Sequence, residues 1–265
     1  MRSLAAILFV AQLAATAAAQ RQPAASPPRS PQSAAPIDLT GYWVSLVTED
    51  WRWRMVTPAK GDYASVPINP EGRRVADAWD LGKDDAAGNQ CKAFGVGGIM
   101  RIPGRAHVTW PEEDTLKVEF DAGSQTRLLH FGGEARADGE RSWQGYSSAS
   151  WVFAGAAGGP TQFTANSLVP GQAPRPASGA LKVVTTRMRE GYLRKNGVPY
   201  SENAVITEYY DRFGPEPNGD VFLVVRTTLE DPKYLTQPFV TSTHFKLERD
   251  GSRWHPTPCK VEPPL

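Results

Sequence analysis

Three short runs, Ala106–Trp110, Thr115–Phe120 and Gln125–Phe131, alternate apolar with polar residues. They are separated by Pro111-Glu112-Glu113-Asp114 and Asp121-Ala122-Gly123-Ser124. A period of two is the mark of a half-buried strand, and clusters of Pro, Gly, Asp and Ser are turn chemistry. Pairing through those turns makes two faces. Val108, Trp110, Leu116, Val118, Phe120, Leu129 and Phe131 share one with Arg127. His107, Thr109, Lys117, Glu119, Thr126 and His130 share the other. The pattern returns in Trp143–Phe153, Leu181–Met188, Ala204–Phe213, Val221–Leu229 and Phe239–Leu247, and no long stripe of period 3.6 interrupts it. This predicts an all-β chain of roughly eight to ten antiparallel strands. A sheet of that size escapes exposed edges by closing into a barrel. One or two short helices are expected. The best is Pro70–Trp79, with Asn69 as cap and Pro70 at the first position. Asp84–Cys91 reads as a second helical turn or an ordered loop.

The N-terminus has Arg2, an apolar run from Leu4 to Ala18, and the small-residue sequence Ala17-Ala18-Ala19-Gln20. This is the pattern of a cleaved export signal over residues 1–19, and it implies a periplasmic or secreted protein. The run is too short and Ala-rich for stable membrane insertion. Residues 20–36 are Pro-, Ala- and Ser-rich without an aromatic side chain, which reads as a disordered tether. Residues 37–265 suit one barrel domain. With 29 basic and 28 acidic residues the net charge is +1, which gives no reason to expect nucleic acid or an anionic membrane as partner. Two cysteines in an oxidising compartment pair most simply as a Cys91–Cys259 disulfide.

Gly41–Met55 reads as the first strand. Its alternation puts Trp43, Val47, Glu49, Trp51, Trp53 and Met55 on one face. The opening Gly41-x-Trp43 resembles the first-strand signature of the lipocalin (calycin) family, which implies a Trp plugging one barrel end. The cation that would stack on it is Lys246 or Arg249. A second resemblance rests on Asp38-Leu39-Thr40-Gly41-Tyr42-Trp43, Gly61-Asp62-Tyr63-Ala64-Ser65-Val66-Pro67, Thr241-Ser242-Thr243-His244-Phe245 and Pro256-Thr257-Pro258-Cys259. These look like a family of secreted bacterial proteins common in sphingomonad-like and acidobacterial species. That likeness implies compartment and a shared domain, and no mechanism.

A carboxylate among indoles loses solvation and is held protonated to higher pH, which suits an acid–base role. Glu49 is therefore the leading catalytic candidate. The alternatives are neutralisation by an arginine, or a bulge that turns it outward and brings Asp50 in. Arg127, on an apolar face, should meet Glu49, another carboxylate or an anionic ligand group. Tyr209 is expected inside, opposite Val225, with Glu208 outside, opposite Arg226. The four histidines, His107, His130, His244 and His255, show no metal-ligand spacing, so no metal or other cofactor is expected. Only an inverted barrel would gather His107, Glu119 and His130 in a cavity. Ser147, Ser148 and Ser150 lack a nucleophile-elbow context. The leading expectation is a lipocalin-like protein that binds a small apolar or aromatic molecule in a cavity walled by Trp43, Trp51, Trp53, Trp110, Trp143 and Trp151. Glu49, Arg127 and Tyr209 would orient the polar end, and Gly155–Ser178 would be a lid. The alternative is an isomerase, cyclase or lyase using Glu49 on the same barrel. A protein-interaction module of the cell envelope is the third class, with no partner indicated.

Overall fold

Nine strands close into a barrel. In chain order they are β1 (Gly41–Leu46), β2 (Arg105–Glu112), β3 (Thr115–Phe120), β4 (Gln125–Phe131), β5 (Tyr146–Phe153), β6 (Gly179–Thr186), β9 (Val205–Phe213), β10 (Phe222–Glu230) and β11 (Phe239–Glu248). β7 (Gly191–Tyr192) and β8 (Pro199–Tyr200) form a separate small hairpin. The molecule is described as a computed structural model covering residues 29–133, 139–153 and 179–264. The expected export signal, the first part of the tether and the expected lid lie outside the described residues.

Around the barrel the order is β1-β11-β10-β9-β6-β5-β4-β3-β2, and β2 returns to β1. All neighbours are antiparallel except β4 and β5, which run parallel through Leu129↔Ser147 to Phe131↔Ala149. A parallel pair needs a crossover rather than a tight turn, and the long connection between Phe131 and Tyr146 supplies it. Between β1 and β2 lie four short helices: α1 (Trp51–Arg54), α2 (Pro70–Asp77), α3 (Leu81–Ala86) and α4 (Val96–Ile99). The α2 helix starts as its sequence requires. Asn69 caps it by accepting from the Gly72 N–H at 2.8 Å, and Pro70 takes the first position.

The first strand is shorter than its alternation suggests. It ends at Leu46, and Asp50 adopts a left-handed conformation (φ 50°) that starts the single helical turn Trp51–Arg54. The Asp50 carbonyl accepts from the Trp53 and Arg54 N–H groups. Four residues of alternating Trp and Arg fit a period of two or one helical turn equally well. Trp51 is 68% exposed on this turn, and Trp53 and Glu49 are also off the barrel wall.

The interior is filled. Trp43, Leu129, Leu181, Val183 and Val225 have no solvent exposure. Trp43 donates its indole N–H to the Leu39 carbonyl at 2.9 Å and faces Leu247 and Ala106 across the two ladders. Arg127 lies inside, as its face predicts, and its carboxylate partner is Glu208 rather than Glu49. Here β9 runs opposite to expectation by one residue. Val225 pairs with Tyr210 and Arg226 with Tyr209, so Glu208 and Tyr210 point inward and Tyr209 outward. A one-residue shift at the hairpin flips every side chain on the strand. The fully buried guanidinium of Arg127 gives the physical reason, because it needs an anion inside. It bonds Glu208 at 2.5 and 3.1 Å, the Tyr210 hydroxyl at 3.4 Å and the Thr185 hydroxyl at 3.3 Å. Outside, Arg226 pairs with Asp211 at 3.2 Å and covers the Tyr209 ring, in place of the expected pairing with Glu208.

Cys91 and Cys259 form a disulfide that spans 168 residues. Closing so long a loop is worth about 5 kcal/mol as an upper figure in chain-entropy models. Part of the segment read as a tether packs on the barrel: Gln32 N–H donates to the Glu113 carbonyl at 3.0 Å, and Trp151 donates its indole N–H to the Pro31 carbonyl at 2.8 Å.

Candidate functional site

The six tryptophans expected to wall one cavity divide into three places. Trp43 is core. Trp110 and Trp151 pack with Phe131 at one part of the barrel, with ring centroids 5.1–6.4 Å apart. Trp51, Trp53 and Trp143 lie off the wall. Trp143 precedes β5 and carries the Arg189 guanidinium over its ring at 4.1 Å. Glu49 is half-buried outside the barrel, bonded to Arg54 and accepting from the Thr48 hydroxyl at 2.6 Å, with His244 Nδ1 at 3.3 Å. It shares no site with Arg127 or Tyr209. Arg127 is already matched in charge by Glu208, with only its Nε left without an acceptor, so among the described residues the barrel interior offers an incoming ligand no unpaired charge.

Unmatched charge lies elsewhere, where α1 and α4 meet the β7–β8 hairpin. The hairpin turns through Leu193–Val198, with Leu193 N–H donating to the Val198 carbonyl at 2.7 Å. Its tip is tied down by Asn196, whose amide donates to the Ala59 and Asp62 carbonyls at 3.0 Å each. Gly197 sits there at φ +80°, with Trp79 where a Cβ would be. Gly98 of α4 allows the same closeness on the other side. A Cβ there would lie 2.6 Å from the Ala93 carbonyl and 2.9 Å from the Tyr192 carbonyl. Held this way, the tip residue Arg194 is only 4% exposed.

A cleft opens beside it, lined by Trp53, Arg54, Arg101, Leu193, Arg194 and Lys195 among others. The surrounding charges pair off in three cases: Arg52 with Asp62 at 2.6 Å, Arg54 with Glu49, and Arg101 with Asp50 at 2.6 Å. Arg194 and Lys195 have no acid within ion-pair distance among the described residues. All three guanidinium nitrogens of Arg194 are buried without a hydrogen-bond acceptor, and so is Nη1 of Arg101. The Arg194 guanidinium lies 4.7 Å over the Trp53 ring, and Arg52 approaches that ring at 5.0 Å. Burial, then repulsion from Arg101, pulls Arg194 down to about 10 against the opposing attraction of Asp50 and Asp62. Burial also lowers Arg54 and Lys195. A buried cation with idle donors is costly, and a bound anion relieves that cost.

No known protein family, curated protein or solved structure matches this chain. The cleft is therefore judged on its own chemistry. It has donors for an anion and an indole face for an aromatic or apolar group. Among the described residues no three His, Cys, Asp or Glu side chains converge as a metal site. None of the described helices is long and apolar enough to cross a membrane. Sequence reasoning missed Arg101, Arg194 and Lys195. The available signal was Arg194-Lys195-Asn196-Gly197 between Tyr192-Leu193 and Val198-Pro199-Tyr200: a turn pair flanked by apolar residues, with two cations at its tip.

Proposed function

We propose that this is an exported, lipocalin-like β-barrel protein that binds a small aromatic or apolar molecule bearing an anionic group. The binding site is the cleft at Trp53, Arg101 and Arg194, outside the barrel. One observation carries the reading: a guanidinium nearly sealed from water has no acceptor for any of its nitrogens among the described residues. Charge-assisted bonds from Arg194 and Arg101 to a carboxylate would satisfy those donors, and the Trp53 ring would hold the flat part of the ligand. The disulfide suits an oxidising compartment and supports export. A closed, filled barrel supports a role for the strands as a mount rather than a container.

Calorimetric titration with benzoate and with benzamide tests the proposal. Benzoate should bind and quench tryptophan fluorescence, and benzamide should bind at least tenfold more weakly. Arg194→Met should remove the difference. Equal affinity for acid and amide, or no binding of either, overturns it.

A further inference from the structure

The α1 turn shows apolar side chains to solvent and hides an arginine. Seven large apolar residues are well exposed among the described residues, and three of them, Trp51, Met55 and Val56, fall in one short run. The other four, Leu128, Phe153, Phe213 and Val240, stand on four different strands. Apolar side chains exposed singly are ordinary, whereas a cluster of them marks a contact surface.

Local geometry fixes this display. The Met55 N–H donates to the Trp51 carbonyl at 2.9 Å, so helical rotation continues through Met55. With about 3.6 residues per turn, Trp51, Arg52, Met55 and Val56 fall on one side, and Trp53 and Arg54 on the other. Arg54 anchors the inner side. It is 2% exposed and donates to the Arg101 carbonyl at 2.8 Å and the Ser45 hydroxyl at 3.3 Å, besides its pair with Glu49. Thr57 and Pro58 are buried next, and Asn196 holds the Ala59 carbonyl. The turn cannot roll over to bury Trp51 and Met55 without breaking those bonds.

Charge selects what covers the patch. Between positions 51 and 61 every exposed charged side chain is a cation, Arg52 or Lys60. The three flanking acids are each matched by an arginine: Asp62 by Arg52, Glu49 by Arg54 and Asp50 by Arg101. Lys60, Arg194 and Lys195 have no acid within ion-pair distance among the described residues, which leaves an excess of positive charge beside the apolar cluster. Trp with aliphatic side chains and flanking cations is the composition of the membrane interface, where an indole sits at headgroup depth and cations meet phosphate. The net charge of +1 gives no sign of this, because a sum over the chain averages a local patch away. We propose that this turn docks peripherally on an anionic phospholipid bilayer, with Trp51, Met55 and Val56 at the acyl boundary and Lys60 at the lipid phosphates. Trp53, on the inner side, stays with the cleft.

Flotation of the full exported chain with vesicles tests this, using phosphatidylcholine alone and equal parts of phosphatidylcholine and phosphatidylglycerol. Wild type should bind the anionic vesicles roughly tenfold more tightly than the neutral ones. Trp51→Ser with Met55→Ser should weaken binding to both at least about tenfold. Phe213→Ser should change neither, because that comparably exposed residue is level with Phe222 and Lys246, at the barrel end away from Phe239. Lys60→Glu should cut the preference for anionic vesicles by about threefold or more. Brominated acyl chains should quench wild-type tryptophan fluorescence, which needs no variant. No vesicle binding by wild type, no quenching, binding that Trp51→Ser with Met55→Ser leaves unchanged, or a preference that survives Lys60→Glu overturns the proposal. So does a concentration-dependent dimer in sedimentation velocity that the same pair of serine substitutions dissolves, since a second copy would then cover the patch.

Discussion

Replacing Arg194 by Met should make the ligand-free protein more stable while abolishing anion binding. Holding this guanidinium at about 10 rather than 12.5 corresponds to a net cost of about 3 kcal/mol on folding, from burial first and repulsion by Arg101 second. The cation–π contact with Trp53 at 4.7 Å returns about 1 kcal/mol. Met keeps an apolar stem against Leu193 and the indole, so a net gain of about 1–3 kcal/mol is expected. For a domain of this size that raises Tm by roughly 2–10 °C. The pH dependence has a definite sign. A base with a depressed native value carries its penalty wherever it is protonated in both states, which is everywhere below about pH 10. The advantage of the variant should therefore be flat from pH 5 to 9 and shrink above pH 10, where native Arg194 sheds its proton first. Urea unfolding across that range measures it. A variant destabilised by more than about 1 kcal/mol would refute the reasoning, because Arg194 would then be a structural partner and not a donor awaiting a ligand.

Inside the barrel, Glu208→Gln leaves Arg127 buried without its anion and should cost about 3–5 kcal/mol, whereas Arg127→Met with Glu208→Leu should be close to neutral, both read by urea unfolding. Removing both cysteines should lower stability by up to about 5 kcal/mol, measured by calorimetry under oxidising conditions. Gly98→Val drives a side chain into two backbone carbonyls. It should cost about 2–4 kcal/mol and displace the β7–β8 hairpin, with loss of benzoate binding in the folded fraction.

The barrel was legible because its signal is redundant. Val108, Leu116, Val118 and Leu129 repeat one alternation across three strands, and a closed sheet follows from many such runs. Two errors came from places where local pattern underdetermines geometry. Trp51-Arg52-Trp53-Arg54 alternates whether it is a strand or one turn of helix. In β9, adjacent Tyr209 and Tyr210 are chemically alike, and only the buried demand of Arg127 for Glu208 chooses between them. The cleft was illegible for a different reason. Arg54, Arg101 and Arg194 are 47 to 140 positions apart in sequence, and each alone looks like a solvated surface cation. Burial by tertiary packing is what gives them meaning, and no periodicity reports it.

Arg54, Arg101 and Arg194 all stand on connecting segments, and none on a barrel strand. Recognition and scaffold are thus separately mutable. Evolution, or an engineer, could exchange the hairpin tip and the α1 turn to accept a different acid without repacking the strands beneath. The chain would then behave as a fixed pedestal with a replaceable reading head.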